Sequence, residues 1–549
     1  MKPGRRNVIE RDLDALGADW QWTTAAAAQR PLSVQGRGEE TAMATARHER
    51  PIAKYPAKLH ARRVAAELAV DNGLVYLAGQ PEINLDDSDQ PRPFRQRRYF
   101  FYLAGANFSG CHVTYDIAAD HLILWVPHVA PSDVLWYGSK PSPQRCMELS
   151  DVDDARYAAQ LPGYVGRHHA AASTVYVLHA DQSPPLHPEG GAGAGPPLPP
   201  AKSSTDDARL RPAMDRARVV KTDYEVAMIR RANDVSSAAH RSVAGRLLRL
   251  TNERDVEALF QAACHMRGTR SQAYGAIAGA GANAATLHYV DNDAPLVGSQ
   301  LVLVDAGCEW DCYASDVTRT MPLSGSFSPR AAAVHAIVQR MQEECIARVR
   351  PGAVYYHLHL HAAAVALTGL LQLGILRGHR DDIARAGTVA AFFPHGLGHH
   401  VGLEVHDVDG GFPLLAPSHP RRFLGGKRVA VTPEALAAMA EELKADGGTS
   451  SAPEGTSTKG KLRPNMVVTV EPGIYFCRPF LEAAFLANPK HARFIDADVL
   501  EGFYPVGGVR IEDCILVTPD GYENLTSAPK GAELLDVINN GGHGEGWPC

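Results

Sequence analysis

The sequence predicts a mixed α+β protein, with an N-terminal α/β domain over residues 54–215 followed by a second domain over 216–549 that again combines helices and strands. Three observations predict it. Helical and extended patterns alternate from Pro56 onward. A Pro/Gly-rich stretch at 182–201, QSPPLHPEGGAGAGPPLPPA, interrupts that alternation as a surface insertion or linker. Beyond it, Thr222-Asp-Tyr-Glu225 is a capping-box pattern that opens a long amphipathic run. With 549 residues, 45% of them hydrophobic, there is enough apolar content for more than one core.

Residues 1–53 mix Arg, Glu, Ala and Gly without sustained periodicity and are expected to be a poorly ordered leader. Pro56 opens a helical pattern to about Ala69, and Gly73–Ala78 reads as the strand after it. The runs Tyr99–Leu103, Leu122–Val126 and Ser173–Leu178 are further strand candidates, and they complete a first domain ending near residue 215. Pro196-Pro-Leu-Pro199 has PxxP spacing but no adjacent Arg, so it reads as spacer. In the second domain, Met228, Ala232, Val235, Ala239 and Val243 line one helical face. Ser328-Pro329 signals another helix start, with Val334, Ile337, Met341 and Cys345 on its apolar side. Strands are expected near 301–305, 467–471 and 509–517, and the Gly/Ser/Thr-rich piece 446–461 reads as a loop insertion.

Composition removes several function classes. Fifty-five Lys+Arg against sixty-one Asp+Glu give a net charge of −6, so no global positive field draws the chain to nucleic acid or acidic lipid. Nine dispersed cysteines without a CxxC pair fit neither a disulfide scaffold nor a zinc-thiolate site. The most apolar stretch, Ala362–Leu376, is shorter than the roughly 20 residues that cross a bilayer, and no secretory apolar block follows the basic N-terminus. A cytoplasmic protein is the expectation.

Three β segments each deliver an acid. Leu301-Val-Leu-Val-Asp305 ends in a carboxylate, with Asp316 eleven residues on; Met466-Val-Val-Thr-Val-Glu471 does the same. In Val509-Arg510-Ile-Glu512-Asp513, alternation puts Arg510 and Glu512 on one face and Asp513 on the other. Taken singly, Asp305 could cap the turn at Ala306-Gly307, and Glu512 could pair with Arg510. Between these segments lies Pro394-His395-Gly-Leu-Gly-His399-His400-Val-Gly-Leu-Glu-Val-His406-Asp407, four histidines interleaved with glycine. Four carboxylates cannot share a buried site while ionised unless cations offset their repulsion. A metal centre resolves the conflict, and oxygen-dominated ligation with one imidazole suits manganese, cobalt or zinc, in pairs about 3.5–4 Å apart.

His395-Gly-Leu-Gly-His399 through His406-Asp407 resembles the signature of the Xaa-Pro peptidases, aminopeptidase P and prolidase, whose catalytic domain has the pita-bread fold. The likeness extends from about residue 54 to 535, through Phe94-Arg-Gln-Arg-Arg98 and Arg218–Glu225, and is strongest to fungal proteins classed as Xaa-Pro aminopeptidases. The resemblance implies two divalent ions per subunit, with manganese(II) expected and cobalt or zinc as alternatives. Asp305 would chelate one ion, His399 and Glu471 the other, and Asp316 and Glu512 would bridge both. A water whose pKa the cations lower would attack the carbonyl before proline, and Glu471 would shuttle the proton to the proline nitrogen. By the same likeness His288 contacts substrate, His395 and His406 steady the carbonyl oxygen and the tetrahedral intermediate, Arg510 stands near the metals, and Tyr313 supports the ligands from behind. Gly279-Ala-Gly-Ala-Asn283 and Glu404 depart from the family pattern without touching a ligand.

The expected substrates are small proline-containing peptides, cut to release the residue before a penultimate proline, and homodimers are frequent among such relatives. Two alternatives stand beside this reading: a prolidase restricted to Xaa-Pro dipeptides, and a non-catalytic binding module on the same fold. Retention of all five ligand types weighs against the second. Methionine aminopeptidases are disfavoured because they lack a counterpart of residues 54–215.

Overall fold

The computed structural model describes residues 54–171, 173–184, 205–296, 298, 301–415 and 460–541. The leader 1–53 lies outside the described residues, as do 185–201 of the Pro/Gly-rich stretch and 446–459 of the Gly/Ser/Thr-rich one.

Helix α1 (Ala57–Leu68) ends where Ala69 turns left-handed at φ 53°, and β1 (Leu74–Ala78) follows as its pattern foretold. β1, β2 (His112–Asp116) and β3 (His121–Val126) form an antiparallel meander. β4 (Asp154–Tyr157), β5 (Val175–Tyr176) and β6 (Thr205–Asp206) join it in parallel, giving the order β4-β3-β2-β1-β5-β6. Both faces of this sheet are covered, and Trp125, fully buried, satisfies its indole N–H with Thr114 Oγ1 at 2.9 Å.

The run Tyr99–Leu103 is not a strand but the centre of helix α2 (Arg98–Ala104). Every residue from Phe100 to Ala104 is buried, and a short continuous apolar run has no period that separates a buried strand from a buried helix. Gly105 ends α2 at φ 65°, where a Cβ would lie 2.4 Å from the Tyr55 ring, so only glycine fits. Helix α3 (Leu210–Val219) then runs through residue 215.

The second part opens with α4 (Asp223–Ala244), whose capping box is present: Thr222 Oγ1 accepts from the Glu225 amide, and Glu225 Oε2 accepts from the Thr222 amide at 2.8 Å. The expected stripe, Met228, Ala232, Val235, Ala239 and Val243, is buried throughout. α4 packs on α5 (Glu253–Met266), and α6 (Pro329–Ile346), capped by Ser328, packs on α7 (Tyr355–Gln372).

Among the described residues, four small sheets accompany these helix pairs. The first has β10 (Cys308–Trp310) between β7 (Ser271–Gln272) and β11 (Tyr313–Ala314). The second has β9 (Leu301–Asp305) between β8 (Ile277–Ala280) and β12 (Thr318–Pro322). The third has β16 (Asp513–Thr518) between β13 (Val467–Val470) and β17 (Gly521–Asn524). β14 (Gly473–Tyr475) pairs with β15 (Gly508–Arg510). The expected strand 509–517 is thus two strands, broken at Ile511-Glu512, where residue 512 instead bridges to Thr318.

Candidate metal centre

Strand alternation aims the acids. In β9, Val302 and Val304 pack under α4 and α5, while Leu301 and Leu303 face the opposite half, and Asp305 continues that second series. In β13, Val468 and Val470 pack against the α6–α7 core, which leaves Thr469 and then Glu471 on the other face. Arg510 and Glu512 share a face as alternation required. Asp513, on the reverse, meets Arg319 at 2.8 Å and Lys530 at 2.9 Å instead.

All nine proposed site residues, His288, Asp305, Asp316, His395, His399, His406, Glu471, Arg510 and Glu512, line one cleft of about 550 Å³, together with Leu287, Gly396, Gly398 and Leu415. Ligand-type atoms of Asp305, Asp316 and Glu512 lie within 4.8 Å of one another, as do those of His399, Glu471 and Glu512 and those of Asp316, His399 and His406. The glycines serve this crowding: a Cβ on Gly398 would fall 2.4 Å from the Thr469 carbonyl oxygen and from Tyr355 Oη.

Hydrogen bonding shows what the centre lacks. His399 Nδ1 lies 3.0 Å from the His400 carbonyl, which can only accept, so Nδ1 carries the proton. Nε2 then faces Asp316 Oδ2 and Glu471 Oε1, each at 3.3 Å, so positive charge must sit between them, either a second proton on the ring or a metal cation in its place. Glu512 is 1% exposed; its Oε2 takes the Thr318 hydroxyl at 2.6 Å, while its Oε1 has no partner. The donor set therefore fits divalent cations, three carboxylates and an imidazole being left with unmet acceptor capacity.

Electrostatics agrees. Burial pushes the Glu512 carboxyl well up, and Asp316, Glu471 and Asp305 add to it. Asp316 is pushed up to about 6 by burial and Asp305, against the opposing His399. For His399, burial disfavours the charged ring, but Asp316 and Glu471 outweigh it and raise its pKa well above the ordinary value. His395 and His406 go the other way, lowered by burial and by neighbouring cationic groups despite Glu471.

Arg510 does not pair with Glu512: its Nη2 donates to Asp305 Oδ2 at 2.6 Å and its Nη1 to Tyr475 Oη at 2.9 Å. Asp305 is thereby a partner of Arg510 and not a cap on the following turn. Tyr475 in turn lies 2.9 Å from His395 Nε2, whose Nδ1 is 2.7 Å from the Gly396 carbonyl. His288 is exposed at the mouth.

Tyr313 is misplaced by the sequence reading. Its hydroxyl meets Glu225 at 3.3 Å and Tyr55 at 3.4 Å, away from the acids, because its strand turns that side chain into the core under α4. The phenol behind the ligands is Tyr274, 2.6 Å from both Asp305 Oδ1 and Asp316 Oδ1. The one available signal was its position as the sole large side chain in Ala273-Tyr274-Gly275-Ala276. One phenol proton cannot serve two carboxylates, so Tyr274 orients the pair. Tyr274→Phe is expected to weaken metal retention by about 10–100-fold with the fold intact, measured by competition with a chelator.

The family model for metallopeptidase family M24 matches residues 227–519, and that for the aminopeptidase P N-terminal domain matches 58–176. A probable Xaa-Pro aminopeptidase of Metarhizium acridum is 61% identical over 89% of this chain and 94% of its own length. One from Colletotrichum graminicola is 57% identical over 89% and 92%. Zinc-substituted Escherichia coli aminopeptidase P in complex with product shares the fold at a TM-score of 0.67 and 24% identity, over 89% of this chain and 99% of that one.

Proposed function

From the premise that this chain belongs to metallopeptidase family M24 and is an Xaa-Pro aminopeptidase, with an N-terminal domain followed by a pita-bread catalytic domain, we propose that its five clustered ligand-type residues hold two divalent cations. In this reading Asp305 would hold one cation, His399 and Glu471 the other, and Asp316 and Glu512 would serve both. Manganese(II) is the ion proposed for the cell, supported by the oxygen-rich donor set, with cobalt and zinc as alternatives. The observation that carries the proposal is the convergence of His399 Nε2 on two carboxylates at 3.3 Å beside the unpartnered, buried Glu512 Oε1.

When bound, the cations lower the pKa of water and polarise the carbonyl before proline. The chain's own groups do the rest. Glu471 takes up the proton released in the attack and delivers it to the proline nitrogen. His395 and His406 are kept neutral by burial and add no charge that would compete with the cations; His406 offers an N–H donor to the carbonyl oxygen, while His395, its Nδ1–H taken by the Gly396 carbonyl and its Nε2 accepting from Tyr475, walls the pocket beside it. Arg510 fixes Asp305 and, through Tyr475, the ring of His395. His288, exposed at the mouth, receives the peptide.

The proposed boundaries are 54–215 for the first domain and 216–549 for the second, supported by the two matched ranges. Among the described residues eight cysteines are free thiols and no helix is long and apolar enough to cross a membrane, which supports the cytoplasmic assignment. The proposed homodimer is checked by light scattering.

The deciding experiment assays metal-stripped protein on a proline tripeptide after adding manganese, cobalt or zinc in turn. Restored release of the N-terminal residue is expected; cleavage of Xaa-Pro dipeptides alone would make it a prolidase, and failure to bind any divalent ion would leave a binding module. His395→Ala is expected to keep the full metal content by elemental analysis while kcat falls by about 10²-fold or more. Metal loss instead would place His395 among the ligands.

A further inference from the structure

We infer that Arg95, on the segment just before α2, is a positioning residue for catalysis: through Glu404 it holds the turn that carries His406 against His399. The inference rests on the catalytic role proposed for His406. That turn is closed by the Asp407 amide donating to the His400 carbonyl at 2.9 Å, and its far end is pinned where Asp407 meets Arg218 at 2.6 Å and Lys221 at 3.2 Å. Its crown is held differently. The Gly402 amide donates to the Glu404 carbonyl at 3.1 Å, but within the described residues the amides of Glu404, Val405 and His406 donate no hydrogen bond, yet the His406 ring sits 4.2 Å from that of His399.

The Glu404 side chain ties the crown to the rest of the protein. Its Oε2 accepts from Arg95 Nη2 at 2.8 Å, and its Oε1 lies 3.6 Å from Arg98 Nε, a buried atom with no hydrogen-bond partner. The same two arginines converge on buried Glu309, Arg95 at 3.0 Å and Arg98 in direct contact, and Glu309 lies four residues beyond Asp305. Two guanidinium groups thus join the continuation of a ligand-bearing strand to the crown of the histidine turn, with charges balanced two against two. The buried Arg98–Glu309 pair is the fixed half of this clamp. The Arg95–Glu404 half is 46% and 39% exposed, so it is accessible to salt.

Arg95→Gln and Glu404→Gln, alone and together, test the clamp in the metal-replete full chain. Each single change is expected to lower kcat on a proline tripeptide about fivefold, with KM, metal content and melting temperature unchanged. The double variant should be no slower than the slower single, Arg95→Lys should recover most of the rate, and raised salt should slow the parent but not the variants. Unchanged kcat in Arg95→Gln, multiplying losses in the double variant, or a fall in metal content would overturn the positioning role. His406→Ala separates the two ideas. If it leaves kcat untouched, the role of His406 fails; if it slows turnover while Arg95→Gln does not, only the clamp fails.

Discussion

Asp316→Ala or Glu512→Ala is expected to abolish turnover, by roughly 10³-fold or more, equivalent to about 4 kcal/mol at the barrier. Each change removes a carboxylate proposed to serve both cations and leaves the remaining acids around a half-built centre. Near-parental rates in either variant would contradict the assignment. A conservative change has a second, opposite signature. Glu512 is buried with its carboxyl held well above the ordinary value of 4.5, so the metal-free fold favours its protonated form. Its contribution to stability is complete below that ordinary value and is lost as pH climbs toward the raised one. Glu512→Gln should therefore raise the melting temperature of metal-stripped protein at pH 8 and lower that of the metal-loaded protein. A shift of the same sign in both states would mean that no cation relieves this carboxylate.

Arg319→Met is the largest stability loss expected anywhere in the catalytic half. The guanidinium, 1% exposed, donates to Asp513 Oδ1 and to the carbonyls of Thr318, Glu512, Ala528 and Pro529 at 2.7–2.9 Å. Removing it takes the nearest cation from a buried carboxylate and leaves the carbonyls of Glu512, Ala528 and Pro529 without that donor, which costs about 3–5 kcal/mol. Turnover should fall with it, because the Glu512 carbonyl is one of the anchors that hold the break between β15 and β16. Chemical denaturation reads the stability; a loss below 1 kcal/mol would show that Lys530 and Asn524 together can hold Asp513. For Asp513 the sign is the reverse of that for Glu512. Burial would raise its carboxyl, but Arg319 and Lys530 bring it down to about 2. The pair thus stabilises above the ordinary aspartate value, and that stability fades as pH falls toward 2.

Asp305 and Glu471 were legible because each ends a hydrophobic strand, and strand alternation alone decides which face the last residue takes. That logic placed Asp305 and Glu471, and it separated Glu512 from Asp513. It could not see across strands, so the partner of Arg510 came out as Asp305 rather than the neighbour two residues away. Tyr274 was invisible for the same reason, since its worth comes from two carboxylates 31 and 42 residues later. Tyr313 was misassigned because nearness in sequence to two aspartates says nothing about the side of the sheet a phenol occupies. At Tyr99–Leu103 burial on every side erased the period that tells helix from strand.

Arg218 and Lys221 sit on the stretch joining the first part of the chain to the second, yet both contact Asp407, the residue after a proposed catalytic histidine. Hinge bending at that junction would pull a buried charge triplet apart and drag the histidine along. The contacts that hold the histidine turn thus also brace the junction between the two parts of the chain.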